Sequence, residues 1–140
     1  MTHKNNIQFT HNFCESRLNN NQGPEYYNAF SAIFITLIPL YYGMPINYHL
    51  KKVGLMLILN GAFSFYYHYS LSWLGKQLDE ITMFVANYNY ICGLIEYYKD
   101  EDIKMKITTI NTTLLPVLIA INTIPQYDIY FPYILCTTYI

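Results

Sequence analysis

The stretch 53–84, VGLMLILNGAFSFYYHYSLSWLGKQLDEITMF, runs apolar for about six turns, breaks briefly, and starts a second run. A bilayer's hydrocarbon core takes about 20 mostly apolar residues as a helix. Residues 53–74 meet that length, and 78–98 follow after a connection too short for anything but an antiparallel return. Working outward, residues 26–44 form a third run of this kind and 107–124 a fourth, with Pro116 as its expected kink. A last apolar run, 129–140, is too short to cross. Continuous runs argue for helices, because the strands of a membrane barrel alternate over about ten residues. The expected fold is therefore all-α: a polytopic transmembrane helix bundle with four to five spans present, residues 26–140, behind a polar N-terminal segment, residues 1–25.

Composition agrees. Charged residues make up 12% of the 140, about half the usual share for a soluble protein, while apolar residues reach 53%. A formal net charge of -1 offers no basic face for nucleic acid. Cys14, Cys92 and Cys136 are too widely spaced for a C-x-x-C motif, so neither a disulfide framework nor a cysteine zinc site is expected. The N-terminal segment lacks the basic start, apolar centre and small-residue cleavage site of a signal peptide. In the up-and-down order of spans, Lys4, Arg17 and Lys76 collect on the N-terminal side of the membrane. Lys51, Lys52, Lys99, Lys104 and Lys106 collect on the other side, which favours that side as cytoplasmic and places the N-terminus in the lumen or outside. The run KDEDIKMK, 99–106, is expected as a solvated loop. The sequon at Asn111 falls at membrane depth and is expected to be unused.

Polar residues inside such spans are costly and are functional candidates by default. Ser64 and His68 stand four apart, on one helix face. Asp79 opens the next span and is expected at a similar depth to His68. A neutral imidazole is a common metal ligand, and a carboxylate or hydroxyl beside it can orient a metal-bound water or take its proton. The same pair can equally serve as interhelical hydrogen-bond glue, and Asp79-Glu80 can be a helix start that meets water. Spacing alone leaves both readings open. Asn60, Asn87, Asn89 and Asn122 read as interhelical partners, and the tyrosines around 41–42 and 66–69 as belt or packing aromatics.

Residues 61–83 resemble the alkaline ceramidase family of the CREST superfamily of membrane hydrolases. That family's pattern is a glycine-rich approach to Ser-x-x-x-His and, eleven residues later, Leu-Asp-Glu-Leu-Pro-Met. Here GAFSFYYH is followed by LDEITM, with Ile81-Thr82 in place of the Leu-Pro pair. A second ordered block, NFCESRLNNNQGPEYYNAFS, is similar to the family's Asp-Trp-Cys-Glu segment and the lead into its first span. Cys14, Glu15, Glu25, Asn28 and Ser31 match that pattern, with one residue fewer in the loop. The resemblance covers roughly residues 12–99.

The resemblance implies seven transmembrane helices and hydrolysis of the ceramide amide bond to a sphingoid base and a fatty acid. It implies His68 as one of three zinc-ligating histidines, Asp79 as the group that positions the zinc-bound water or shuttles its proton, and Ser64 as a residue stabilising the site or the oxyanion. It implies a calcium site near the lumenal face, with Asn12, the Phe13 carbonyl, Glu15 and Glu25 as its oxygen donors. Asn12 stands for an aspartate there, and Arg17 for a neutral asparagine unless Asn19 substitutes. The family's other zinc ligands form a His-x-x-x-His pair on its last helix, whereas His3, His11 and His49 lie in the polar tail and a loop. The chain is thus expected to be a fragment, a truncated product or a degenerate relative. It would act on ceramide or a related sphingolipid in an endomembrane of the endoplasmic reticulum or Golgi type, with its N-terminus lumenal. A non-catalytic membrane protein that keeps the fold for lipid or membrane-protein interaction is the alternative. A receptor of the wider superfamily is a third reading, against which the N-terminal block argues.

Overall fold

The computed structural model describes residue 15 and residues 24–124. Over that range the chain forms four helices: α1, Tyr26–Tyr42; α2, Tyr48–Ser70; α3, Trp73–Ile95; and α4, Glu101–Asn122. They stack as a row in chain order, α1 on α2, α2 on α3 and α3 on α4. The apolar run 129–140 and the proposed calcium donors Asn12 and Phe13 lie outside the described residues.

Each helix start is closed by a side chain that satisfies amides with no partner inside the helix. At α1 the cap comes from a distance: Glu15 accepts the Tyr27 and Asn28 amides, one on each carboxylate oxygen, both at 3.0 Å. Asn47 Oδ1 accepts from His49 and Leu50 at α2, and Ser72 Oγ from Gly75 at α3. Asp100 Oδ1 accepts from Asp102 and Ile103 at α4. This last cap corrects the expected loop at 99–106, since α4 already begins at Glu101. An aspartate cap followed by two acidic residues in the first turn complements the helix dipole, so these charges start a helix. His49, expected in a loop, likewise stands in the first turn of α2 and meets Glu96 at 3.4 Å.

The break inside the opening stretch also falls earlier than the hydropathy places it. Leu71 takes a left-handed conformation (φ 48°) and its amide returns to the Tyr67 carbonyl at 2.7 Å, ending α2. Ser72 then starts α3. Trp73 and Leu74, read as the end of one apolar run, are the first turn of the next helix. Asp79 therefore sits inside α3 and not at its start. Pro116 is carried inside α4 and Pro39 inside α1, with both helices assigned as continuous through them.

Small residues set the spacing of the row. A Cβ on Gly61 of α2 would lie 2.8 Å from the Ala32 carbonyl oxygen of α1, and one on Gly75 of α3 would lie 2.9 Å from Tyr67 Cα of α2. Between α3 and α4 the ties are polar: Asn111 Nδ2 donates to the Tyr88 carbonyl, and Gln77 Nε2 to the Asn122 carbonyl. Asn60 and Asn122 are interhelical partners, as read from the sequence, whereas Asn89 donates back to Val85 of its own helix.

The distribution of polarity is inside-out for a water-soluble protein. Buried residues include Glu25, Asn60, Ser64, His68, Lys76 and Glu80, while Tyr27, Phe34, Leu40, Tyr41, Tyr42 and Ile46 are exposed. Among the described residues one helix, Glu101–Asn122, is long and apolar enough to cross a membrane by length and composition.

Candidate functional site

Asn60, Ser64 and His68 stand four apart on α2 and form one buried stripe along the face that meets its neighbours. Two carboxylates, on different elements, take up this stripe at different heights.

At the end of α2 the partner is Glu25. The His68 carbonyl, in the last turn where helix carbonyls lack partners, accepts the Glu25 amide at 2.9 Å. The same residue's carboxylate meets His68 Nδ1 at 2.5 Å, and Asn28 Nδ2 donates to that oxygen at 3.2 Å. Glu25 is fully buried at 0% exposure and His68 nearly so. Main chain and side chain of one residue thus clasp the C-terminal end of α2. Because Glu25 is spent on His68, the amides at the start of α1 take the Glu15 carboxylate instead. A carboxylate against Nδ1 favours the neutral tautomer with its proton there, in which Nε2 is the accepting nitrogen.

One to two turns further into the row the partner is Asp79. Ser64 hydrogen-bonds its carboxylate, and Asn60 Nδ2 donates to its Oδ1 at 2.8 Å and to its main-chain oxygen at 3.0 Å. Asp79 is therefore level with Asn60 and Ser64. That corrects the expected depth: the register of the α2–α3 hairpin places Asp79 roughly 6–12 Å along the axis from His68, at 1.5 Å per residue. α3 begins at Trp73, five residues before the apolar run at 78, and that earlier start moves Asp79 to a different turn of α2 from the one the hydropathy places beside it.

The described structure therefore joins Ser64 to Asp79 and His68 to Glu25. Glu15 and Glu25 converge on Asn28, one through its amide and the other through its side chain. Two relationships were missed from the sequence. The Glu25–His68 pair links residues 43 apart, and no local pattern announces it. The role of Asn60 had a signal, the repeat of polar residues at 60, 64 and 68, which extends the Ser-x-x-x-His spacing by one step.

Among the described residues there is no group of three histidine, cysteine, aspartate or glutamate side chains that could hold a metal. His68 itself fits a metal ligand's environment, since a ligating imidazole almost always donates its other N–H to a carboxylate or carbonyl. One imidazole is not a zinc site. The described residues fit the group only as a single ligand with its supporting carboxylate.

Taken together, these features define an all-helical protein with an apolar exterior and a buried row of hydroxyl, imidazole, amide and carboxylate groups along one helix hairpin. The chain belongs to the ceramidase family, whose pattern matches residues 6–140. It is 35% identical over 79 residues to alkaline ceramidase 1 of Mus musculus. The match covers 51% of this chain and 29% of that relative's length. No solved structure matches. The resemblance read from residues 12–99 is confirmed, and the family match extends beyond it to residue 140.

Proposed function

We propose that this chain carries the Ser64, His68 and Asp79 part of a membrane amidohydrolase that cleaves the amide bond of ceramide, or of a related sphingolipid, into a sphingoid base and a fatty acid. The observation that carries this reading is the buried polar stripe, clasped by carboxylates from two neighbouring elements inside an exterior of tyrosine, phenylalanine and leucine. Such a stripe is expensive to bury and needs a use. The exterior suits lipid, in a bundle of which α1 to α4 are the first spans and in an endomembrane with the N-terminus lumenal.

In this proposal His68 contributes one zinc ligand through Nε2, and its partner ligands come from outside the described residues. Zinc, when bound, supplies Lewis-acid polarisation of the acyl carbonyl and a water acidic enough to ionise near pH 7. The chain's own residues do the rest. Glu25 fixes the tautomer and the ring plane of His68. Asp79 holds or moves a proton at its carboxylate, which Ser64 and Asn60 keep in place. Because the Ser64 hydroxyl is engaged with Asp79, its part is to orient that carboxylate before any role at the oxyanion. Calcium is proposed at the N-terminal end of α1 with Glu15 and Glu25 among its oxygen donors, and binding would draw these carboxylates from the α1 amides and the His68 ring that they meet here.

That the described residues bring one imidazole to the stripe favours a second reading, in which the chain keeps the fold for lipid or membrane-protein interaction without catalysis. The full gene product, purified from membranes, separates the two by its zinc content and by release of fatty acid from labelled ceramide. The enzyme reading expects stoichiometric zinc and hydrolysis, with both lost in His68→Ala. A folded product with neither would establish the non-catalytic reading.

A further inference from the structure

We infer that Asn60 is a positioning residue that fixes the Asp79 carboxylate, with Thr82 as the third corner of the arrangement. This rests on the reading of Asp79 as a reacting group.

Asn60 is buried at 6% exposure, and its amide nitrogen faces three acceptors on α3: Asp79 Oδ1 at 2.8 Å, the Asp79 carbonyl at 3.0 Å and Thr82 Oγ1 at 3.0 Å. The two N–H bonds of the amide serve all three, so one of them is shared. Thr82 has no proton to return. Its hydroxyl lies 2.7 Å from the Asp79 carbonyl and 3.0 Å from that of Leu78, both in the preceding turn of its own helix. The hydroxyl proton is spent there, and its lone pair is what remains for Asn60. Asn60 thus grips Asp79 by side chain and main chain at once, and Thr82 orients the gripping amide.

A simple interhelical staple does not need this arrangement. Asn60 could donate to any α3 carbonyl and hold the helices together, yet the shortest of its three contacts is to the carboxylate itself. The second donor to that carboxylate, Ser64, comes one turn along the same helix face. Two donors from one rigid helix define the plane of the carboxylate as a single donor does not. Thr82 also stands where the resembling pattern has proline. Proline has no hydroxyl, so this way of aiming Asn60 belongs to chains with threonine or serine at that position.

The test uses the full gene product purified from membranes, with Asn60→Leu, Thr82→Val, Thr82→Ser and Asp79→Asn. Leucine keeps the branched outline of asparagine but is larger and donates nothing to the buried carboxylate, so a lower thermal midpoint is expected, and the folded state is verified before rates are compared. Misplacing a reacting group by about 1 Å costs on the order of 100-fold in rate. Asn60→Leu should therefore lower kcat by about 10- to 100-fold with KM within about twofold. Thr82→Val should act in the same direction, and Thr82→Ser, which keeps the hydroxyl, should restore most of the rate. Independently of turnover, the infrared carboxyl band that disappears in Asp79→Asn should shift in Asn60→Leu and Thr82→Val. A wild-type kcat in folded Asn60→Leu, or an unmoved Asp79 band in both variants, overturns the proposal. If Asn60→Leu does not fold, the Thr82 pair decides by the same two readouts. If the wild-type protein hydrolyses nothing, the functional reading fails, while the Asp79 band still decides whether Asn60 and Thr82 hold that carboxylate.

Discussion

At the residue scale the site depends on pairing buried polar groups that would each be costly alone. A carboxylate such as Glu25, at 0% exposure, is tolerable because an imidazole lies 2.5 Å from it and an asparagine amide donates to the same oxygen. Lys76 and Glu80, both buried on α3, meet at 2.6 Å for the same reason. Glu25→Gln keeps the shape but gives His68 a neutral partner. Replacing such a supporting carboxylate typically costs 10- to 100-fold in metal affinity, so under the zinc reading proposed above, zinc retention of the full gene product should fall by about that factor. Equilibrium dialysis against a competing chelator measures it. Unchanged zinc affinity would mean that the Glu25–His68 pair is structural only.

At the scale of the elements, close helix approach holds the site together. Gly61 lies on the same helix as the polar stripe, next to Asn60. The absence of a Cβ there lets the α1 main chain at Ala32 pass near enough for Glu25 to reach His68 at the end of the same pair. A Cβ at residue 61 would meet the Thr36 hydroxyl and lie 2.8 Å from both the Ala32 oxygen and the Thr36 main-chain nitrogen, so Gly61→Val would press carbon atoms onto α1 backbone that has to shift. Overpacking of this kind typically costs about 1–3 kcal/mol. A thermal unfolding midpoint several degrees lower, together with weaker zinc retention, is the expected outcome. Stability equal to the wild type would show that α1 is free to move away without consequence for the site.

At the scale of the whole molecule, the row of helices fixes which connections share an end. The α1–α2 and α3–α4 connections lie together, and Asn47 Nδ2 donates to Glu96 Oε2 at 2.5 Å across them. The Leu71–Ser72 connection, with Glu25 and His68, is at the other end. With Cys14, Cys92 and Cys136 replaced by alanine, Tyr98→Cys should react with an impermeant maleimide from the cytosolic side of sealed membranes. Ser70→Cys should react after the vesicles are opened. Labelling of both from the same side would remove the antiparallel, membrane-spanning arrangement on which the proposed function depends.

The helical class, the number of apolar runs and the family were determined by sequence alone, because continuous apolar segments and two ordered motif blocks are properties of the chain itself. The local ends were less legible. Hydropathy cannot tell Trp73 as the close of one run from Trp73 as the first turn of the next, and the left-handed turn at Leu71 together with the Ser72 cap decides it. Likewise, the acidic run at 100–102 reads as solvated loop until Asp100 is seen to cap α4. Tertiary structure alone decided who pairs with whom. Moving the start of α3 shifts its register against α2, which takes Asp79 away from the level of His68 and gives it to Asn60 and Ser64. Glu25 reaches His68 because the start of α1 packs beside the end of α2, and a buried imidazole and a buried carboxylate each need a partner that the other can be.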